Sequence, residues 1–318
     1  MLSMGAMTFG RETSKEDSFT MLDIFEEHGG NFIDSANIYS LGISEKIVGE
    51  WVQRTNREQH IIATKVRFPM GNTVNERGLG RKHIIHSVHA SLKRLKTDYI
   101  DVLYAHCWDY STPLEETMDA FSRLVEEGKV RYIAASNFSP SQLQRACDMS
   151  VYEGYQPFIA LQSKYNLMIR SVEWELLNVC EENGIGFVVW GPLFGGWLSG
   201  RYQRGMTEAP EGRVREAEKH DWFEKWSKYN NETTWNIVDT VGTVAKKHSK
   251  SYAQVSLNWL SKQKAISSII LGASKIEHLK DNLACIGWDM DSEDEELLEK
   301  ASSIELPYPY DFLEKTKE

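Results

Sequence analysis

His60-Ile-Ile-Ala-Thr64, Arg81-Lys-His-Ile-Ile-His-Ser-Val-His-Ala-Ser-Leu-Lys-Arg-Leu-Lys96 and Ile100-Asp-Val-Leu-Tyr-Ala105 follow one another, the first two separated by sixteen residues and the last two by three. The outer two runs are short, β-rich and nearly all apolar, as strands buried in a parallel sheet are. The segment between them is amphipathic and predicts a helix. Strand, helix and strand in that order form a βα unit whose next strand lies parallel to the first.

The same alternation extends in both directions. Strands are predicted at Leu2–Met7, Asn31–Ser35, His60–Thr64, Ile100–Ala105, Arg131–Ala135, Phe158–Gln162, Gly186–Trp190 and Ser268–Leu271. Ser14-Lys-Glu-Asp resembles a capping box and opens a helix toward Glu27, which His28-Gly29-Gly30 closes. Further helices are predicted over Ser44–Arg54, Arg81–Lys96, Leu114–Glu127, Ser139–Asp148, Ser171–Asn183, Tyr252–Lys262 and Ile276–Cys285. Eight such units predict a (β/α)₈ TIM barrel, an α/β fold. The period breaks once, between strands seven and eight. That insertion holds the polar stretch Tyr202–Arg215 and a helix near Thr233–Lys247. Insertions after a barrel strand belong to the ligand-binding face, so this one is a candidate lid. No linker or low-complexity tract interrupts the chain, and residues 1–318 are expected to form a single domain. Pro307 and Pro309 argue against a regular helix in the tail.

Composition narrows the function. The 318 residues are 41% hydrophobic and carry a formal net charge of −10. That supports a large core and argues against disorder and against a nucleic-acid partner. Ser292-Glu-Asp-Glu-Glu reads as a solvated acidic helix start. No apolar run reaches the length of a membrane span. The N-terminus lacks a signal-peptide pattern. Cys107, Cys147, Cys180 and Cys285 show no paired spacing. A reduced, cytoplasmic setting is expected. The sequence offers no support for a particular oligomer.

Asp34, Lys65 and His106 each close or follow a predicted strand, and Tyr39 lies in the loop after Asp34. Alone, an Asp caps, a Lys is solvated and a His is a structural hydrogen-bonder. Together they sit at the barrel face where catalytic groups gather. Reducing a carbonyl requires hydride at carbon and a proton at oxygen. A phenol of ordinary pKa, about 10, is a reluctant acid. A neighbouring ammonium favours its phenolate, a carboxylate holds that ammonium, and an imidazole orients the carbonyl oxygen. Tyr39, Lys65, Asp34 and His106 fill these four roles.

From end to end the chain resembles the aldo-keto reductases. The stretches that carry the likeness include Gly5-Ala-Met-Thr-Phe-Gly, Asn31-Phe-Ile-Asp-Ser-Ala-Asn-Ile-Tyr, Ala63-Thr-Lys, Ser91-Leu-Lys-Arg-Leu-Lys-Thr-Asp-Tyr-Ile-Asp, Gly128-Lys-Val-Arg-Tyr-Ile, Ser136-Asn-Phe and Gly200-Arg-Tyr. The branch it looks most like includes bacterial-type members and the voltage-gated potassium channel β-subunits. The resemblance implies a reductase of small-molecule carbonyls with Tyr39 as acid. It equally implies an alternative, a cofactor-binding regulatory subunit with slow or vestigial chemistry.

No G-x-G-x-x-G supports a Rossmann site, and the glycine-bearing stretches Gly71–Gly80 and Gly191–Gly200 read as loops. The resemblance implies NADPH rather than NADH. It places Gly5, Met7 and Asp34 beside the cofactor, Ser136, Asn137 and Gln162 at the nicotinamide carboxamide, and Trp190 stacked on the ring. Pro192, Leu193 and Arg201 fall along the pyrophosphate. Ser274, Lys275, His278, Asp281 and Asn282 fall at the adenosine end. A 2′-phosphate wants a cation; Lys275 is that cation, with Arg213 or Arg215 available from the insertion. His278 stands where Arg or Gln is usual. Ala134 and Gly80 also depart from the family, where Gly and a helix-capping Ser are common.

Met7, Phe68, Trp108 and Trp197 are candidate substrate-pocket walls. Cys107 is either a thiol near substrate or packing. His83, His86 and His89 drift around a helix face without a Cys or acidic partner, so no metal site is expected.

Overall fold

A computed structural model describes residues 2–316. Its strands are β1 (Leu2–Gly5), β2 (Phe32–Asp34), β3 (Ile61–Val66), β4 (Ile100–Ala105), β5 (Val130–Ser136), β6 (Phe158–Lys164), β7 (Gly186–Trp190) and β8 (Ile266–Gly272). They close into a barrel in chain order, with β1 parallel to β8. All eight predicted strands are present. β1 stops at Gly5 rather than Met7, β2 is trimmed at both ends, and β5, β6 and β8 run longer than predicted.

The chain divides into two compact units. One runs through Ser163 and takes in Asn178–Trp190 and Ser267–Lys280. It contains nearly all of the barrel strands. Ala63, Val102, Tyr104, Ala134, Ala160, Val188 and Ile270 pack inside the barrel, with Phe32 and Trp190 against them. Three alanines in that layer leave the room that Tyr104, wholly buried, takes up.

Around the strands, helix ends follow local chemistry. Ser14 caps Lys15–Glu27 by accepting from the Asp17 N–H at 3.0 Å. Gly80 has no side chain to cap Arg81–Leu95, and Glu116 of the neighbouring helix does so instead, accepting from the Arg81 N–H at 2.9 Å. Gly49 lets two helices meet: a Cβ there would lie 2.5 Å from the Arg94 carbonyl oxygen. Glu45, fully buried nearby, is neutralised by Arg94 at 2.6 Å and accepts from Thr64 Oγ1 at 2.7 Å.

The second unit comprises Lys164–Leu177, Gly191–Ile266 and the chain from Asp281 onward. The predicted insertion is mostly helical: Arg213–His220, Trp226–Tyr229, Glu232–His248 and Tyr252–Ser261 follow a short 3₁₀ segment at Phe194–Ser199. Arg213–His220 overlaps the end of the stretch read as polar loop. Trp197 and Trp226 stack at 5.0 Å, with Trp235 and Tyr202 packed edgewise and tilted against Trp197. The tail corrects another expectation. Tyr310–Lys315 is helical, with Pro309 as its N-cap. A proline lacks only an N–H that the first helical turn does not use. No helix among the described residues is long and apolar enough to cross a membrane.

Candidate active site

Period two of the strands builds the site. Phe32, Ala63, Tyr104, Ala134, Ala160 and Val188 pack in the barrel interior. Two residues further along the same strands come Asp34, Lys65, His106, Ser136, Gln162 and Trp190. Alternating side chains return to the same face, so these six project inward one layer above, at the strands' C-terminal ends.

At the centre is a buried ion pair. Lys65 Nζ lies 2.5 Å from Asp34 Oδ2, and the two residues are 1% and 2% exposed. Lys65 also donates to the Ser35 carbonyl oxygen at 2.7 Å and reaches the Tyr39 hydroxyl at 3.4 Å. Tyr39 opens a 3₁₀ turn, Tyr39–Gly42, directly after the loop. Burial works against the Lys65 ammonium, but Asp34 and Tyr39 outweigh it and hold its pKa above the ordinary lysine value.

His106 stands across from this pair. Its ring meets Tyr39 edge-on at 6.0 Å and Phe68 at 4.7 Å. Its Nδ1 is buried without a hydrogen-bond partner. Burial, then the charges of Lys65 and Arg67, push its pKa well below the ordinary histidine value, so the imidazole is neutral. A neutral imidazole is a hydrogen-bonding group for a carbonyl oxygen rather than a second cation.

Asn137 links the next three positions. Its amide nitrogen donates to the His106 carbonyl at 3.0 Å and to Ser136 Oγ at 2.9 Å. Its oxygen accepts from Trp190 Nε1 at 3.0 Å, which fixes the indole plane. Gln162 Nε2 donates to Asp34 Oδ1 at 2.8 Å. The sequence reading missed Tyr104. It pairs in register with Lys65, its ring faces the ammonium at 5.7 Å, and its hydroxyl hydrogen-bonds Gln162. The available signal was its place two residues before His106. Burial pushes its phenol up, so it stays protonated.

The remaining candidates fall into separate places. Met7 is 38% exposed, and Trp108 packs edge-on to Phe138 at 5.1 Å. Trp197 is wholly buried in the aromatic cluster of the second unit and has no surface to offer a ligand, which corrects its reading as a pocket wall. Cys107 is a half-buried free thiol. Ser274, Lys275 and His278 are exposed on the barrel unit.

In the second unit, Pro192 is buried, Leu193 half-buried, and Gly195, Gly196 and Gly200 take left-handed conformations. Arg201 donates to the Glu211 carbonyl. Arg213 faces Glu224 at 3.6 Å, and Arg215 faces Glu211 at 3.5 Å. Asp281 accepts from Ser251 Oγ at 2.7 Å and Gln254 Nε2 at 2.8 Å, tying down the start of Tyr252–Ser261. Asn282 is buried. His83 is buried in its helix, whereas His86 and His89 are exposed. His248, Asp291 and Asp294 cluster with their ligand atoms within 4.8 Å of one another, but Lys247 Nζ already holds both carboxylates, at 3.1 and 2.8 Å.

The profile of the Aldo/keto reductase family matches residues 1–303. The chain is 33% identical to the norsolorinic acid reductase of Aspergillus flavus, over 99% of this chain and 81% of that one. It is 30% identical to an aryl-alcohol dehydrogenase [NADP(+)] of Phanerodontia chrysosporium, over 97% and 84%. It is 32% identical to a probable voltage-gated potassium channel subunit beta of Arabidopsis thaliana, over 90% and 87%.

Proposed function

The chain belongs to the aldo/keto reductase family of oxidoreductases, and we propose that it is an NADPH-dependent reductase converting aldehydes or ketones to alcohols. The observation that carries this reading is the approach of buried Lys65 Nζ to Tyr39 Oη at 3.4 Å, with Asp34 behind the ammonium. Such contacts tighten once substrate is bound.

When bound, the nicotinamide cofactor supplies the hydride. Tyr39 gives its hydroxyl proton to the carbonyl oxygen, and Lys65 stabilises the phenolate left behind. Asp34 has both oxygens committed, one to Lys65 and one to Gln162. It anchors the ammonium. Neutral His106 donates toward the carbonyl oxygen and orients it. Alcohol oxidation uses the same groups in reverse.

The residues present suit a nicotinamide. A primary carboxamide needs a donor for its oxygen and an acceptor for its nitrogen. Ser136, whose Oγ already accepts from Asn137, has its O–H to give. Gln162, whose Nε2 is committed to Asp34, has its carbonyl oxygen. Trp190 offers a plane held by Asn137. Gly5 ends β1 and Met7 follows two residues later, on the same unit. The family resemblance is what assigns Ser274 and His278 on the barrel unit, and Pro192, Leu193, Arg201, Asp281 and Asn282 on the second unit, to the rest of the dinucleotide. NADPH is favoured over NADH by exposed Lys275, which has no ion pair among the described residues, and by a relative whose name carries NADP(+).

A second reading, a cofactor-binding regulatory subunit, takes its support from the likeness to the plant channel subunit. Steady-state turnover of an aldehyde and ketone panel with NADPH and NADH separates the two. NADPH-dependent reduction supports the enzyme; tight cofactor binding without turnover of any carbonyl rejects it.

A further inference from the structure

Arg67 lies just beyond β3, two residues after Lys65, and is half-buried. Its carbonyl oxygen accepts from the Gly78 N–H at 2.7 Å, which pins its backbone to the following loop. Its guanidinium carbon is 5.2 Å from the centre of the Phe68 ring, and that ring lies 4.7 Å from the His106 ring. The guanidinium and the imidazole therefore share contact with one aromatic ring, and the positive charge is near enough to act on His106.

This arginine has no acidic partner among the described residues, and its Nε is buried without any hydrogen-bond partner. Other partly buried arginines of the barrel unit are paired: Arg57 with Asp101 at 2.5 Å and Arg94 with Glu45 at 2.6 Å. Acids of the site and of the loops that follow β3 and β4 are committed elsewhere. Asp34 serves Lys65 and Gln162. Asp109 accepts from the Leu79 N–H, from Ser111 and from Thr112. Glu76 accepts from the Thr73 N–H at 2.9 Å.

An unpaired guanidinium with a buried N–H is costly to maintain, and a native chain leaves such a donor unmet where a ligand or ordered water meets it. The planar fork of arginine matches a carboxylate in two parallel hydrogen bonds. Phe68, in contact with both the guanidinium and the His106 ring, offers an apolar surface to the frame joining the two ends of a ligand.

We infer that Arg67 recognises a carboxylate carried by the substrate, so that the preferred substrates are aromatic aldehydes or ketones bearing an acid group. This rests on the reductase reading and names the substrate class for the same site. The carbonyl is held at Tyr39 and His106, the ring lies against Phe68, and the carboxylate meets Arg67.

The test compares 3- and 4-carboxybenzaldehyde with their uncharged methyl esters, using NADPH as donor. Wild-type kcat/KM is expected to favour at least one acid over its ester by tenfold or more. In Arg67→Met that acid-to-ester ratio falls by about 10- to 100-fold, chiefly through KM of the acid, as loss of a charge-assisted hydrogen bond entails. Arg67→Lys recovers part of the ratio. Turnover by wild type with equal efficiency on acids and esters overturns the inference and leaves the reductase reading standing. So does an unchanged ratio in Arg67→Met, or a loss that falls instead on the dissociation constant of NADPH, read by tryptophan quenching. Failure of wild type to reduce any of the four compounds or a wider carbonyl panel overturns the reductase reading, and the inference with it.

Discussion

Gln162 donates to Asp34 Oδ1 at 2.8 Å, opposite the oxygen that Lys65 holds at 2.5 Å. The carboxylate is thus satisfied on both sides while only 2% exposed. Removing either partner leaves a buried oxygen unmet. Gln162→Leu is expected to lower stability by about 1–3 kcal/mol. Lys65→Met is expected to cost more, about 3–5 kcal/mol, because it strands a buried charge. The double variant Asp34→Leu/Lys65→Met should be more stable than Lys65→Met alone. Urea denaturation measures all three, and a double variant no better than the single one would contradict the pairing.

Tyr39→Phe removes one oxygen atom beside Lys65. Reduction should fall by roughly 10²–10⁴-fold, the size of a lost general acid, while NADPH still quenches tryptophan emission. Turnover near the wild-type rate would show that the proton comes from another group.

His106 stays neutral when an ordinary histidine would be protonated, because burial and then Lys65 and Arg67 lower its pKa. Its unfolded form has the ordinary value, about 6.5. Between the two values the unfolded chain binds the proton and the folded chain does not, so folding stability contributed by this group drops as pH falls below about 6.5. Buried His60 and His83 are lowered too, by burial first, and push the same way. Imidazole NMR shifts followed from pH 8 to 5 should show His106 without a titration step near 6.5. A normal step would refute the electrostatics described for the site. Arg67→Met should raise the His106 value, since it removes one of the two opposing charges.

Gly49→Ala tests the close approach of two helices. In an open helix, alanine gains up to about 1 kcal/mol over glycine. Here the new Cβ would meet the Arg94 carbonyl oxygen at 2.5 Å, a backbone atom that cannot swing away. A net loss of about 1–3 kcal/mol is expected, read as a lower Tm. A Tm equal to or above wild type would mean the helices separate without penalty.

The barrel was legible because its signal is local. Each strand is an apolar run between turn residues, and each helix shows its period within a few turns. Asp34, Lys65 and His106 were legible for the same reason, since each ends such a run. What escaped notice depends on partners distant in the chain. Tyr104 reads as one more apolar residue in Ile100–Ala105 until the strands are paired and Lys65 falls beside it. Gln162 meets Asp34 across 128 residues. Trp197, beside a glycine-rich turn, reads as a pocket wall because Trp226 and Trp235, which bury it, lie beyond a polar stretch. Arg213–His220 is short and highly charged, so its helical period barely shows. Arg67 carried no signal in the sequence: being unpaired is a property of its surroundings.

The stacked indoles of Trp197 and Trp226 have a practical bearing on optical experiments. Seven of the ten tryptophans, at 174, 197, 222, 226, 235, 259 and 288, belong to the second unit. Indoles 5.0 Å apart couple their electronic transitions. Intrinsic emission and near-ultraviolet dichroism therefore report mainly on the unit that lacks Asp34, Tyr39, Lys65 and His106. Melting curves recorded at those wavelengths will track that unit, and the barrel calls for a probe of its own.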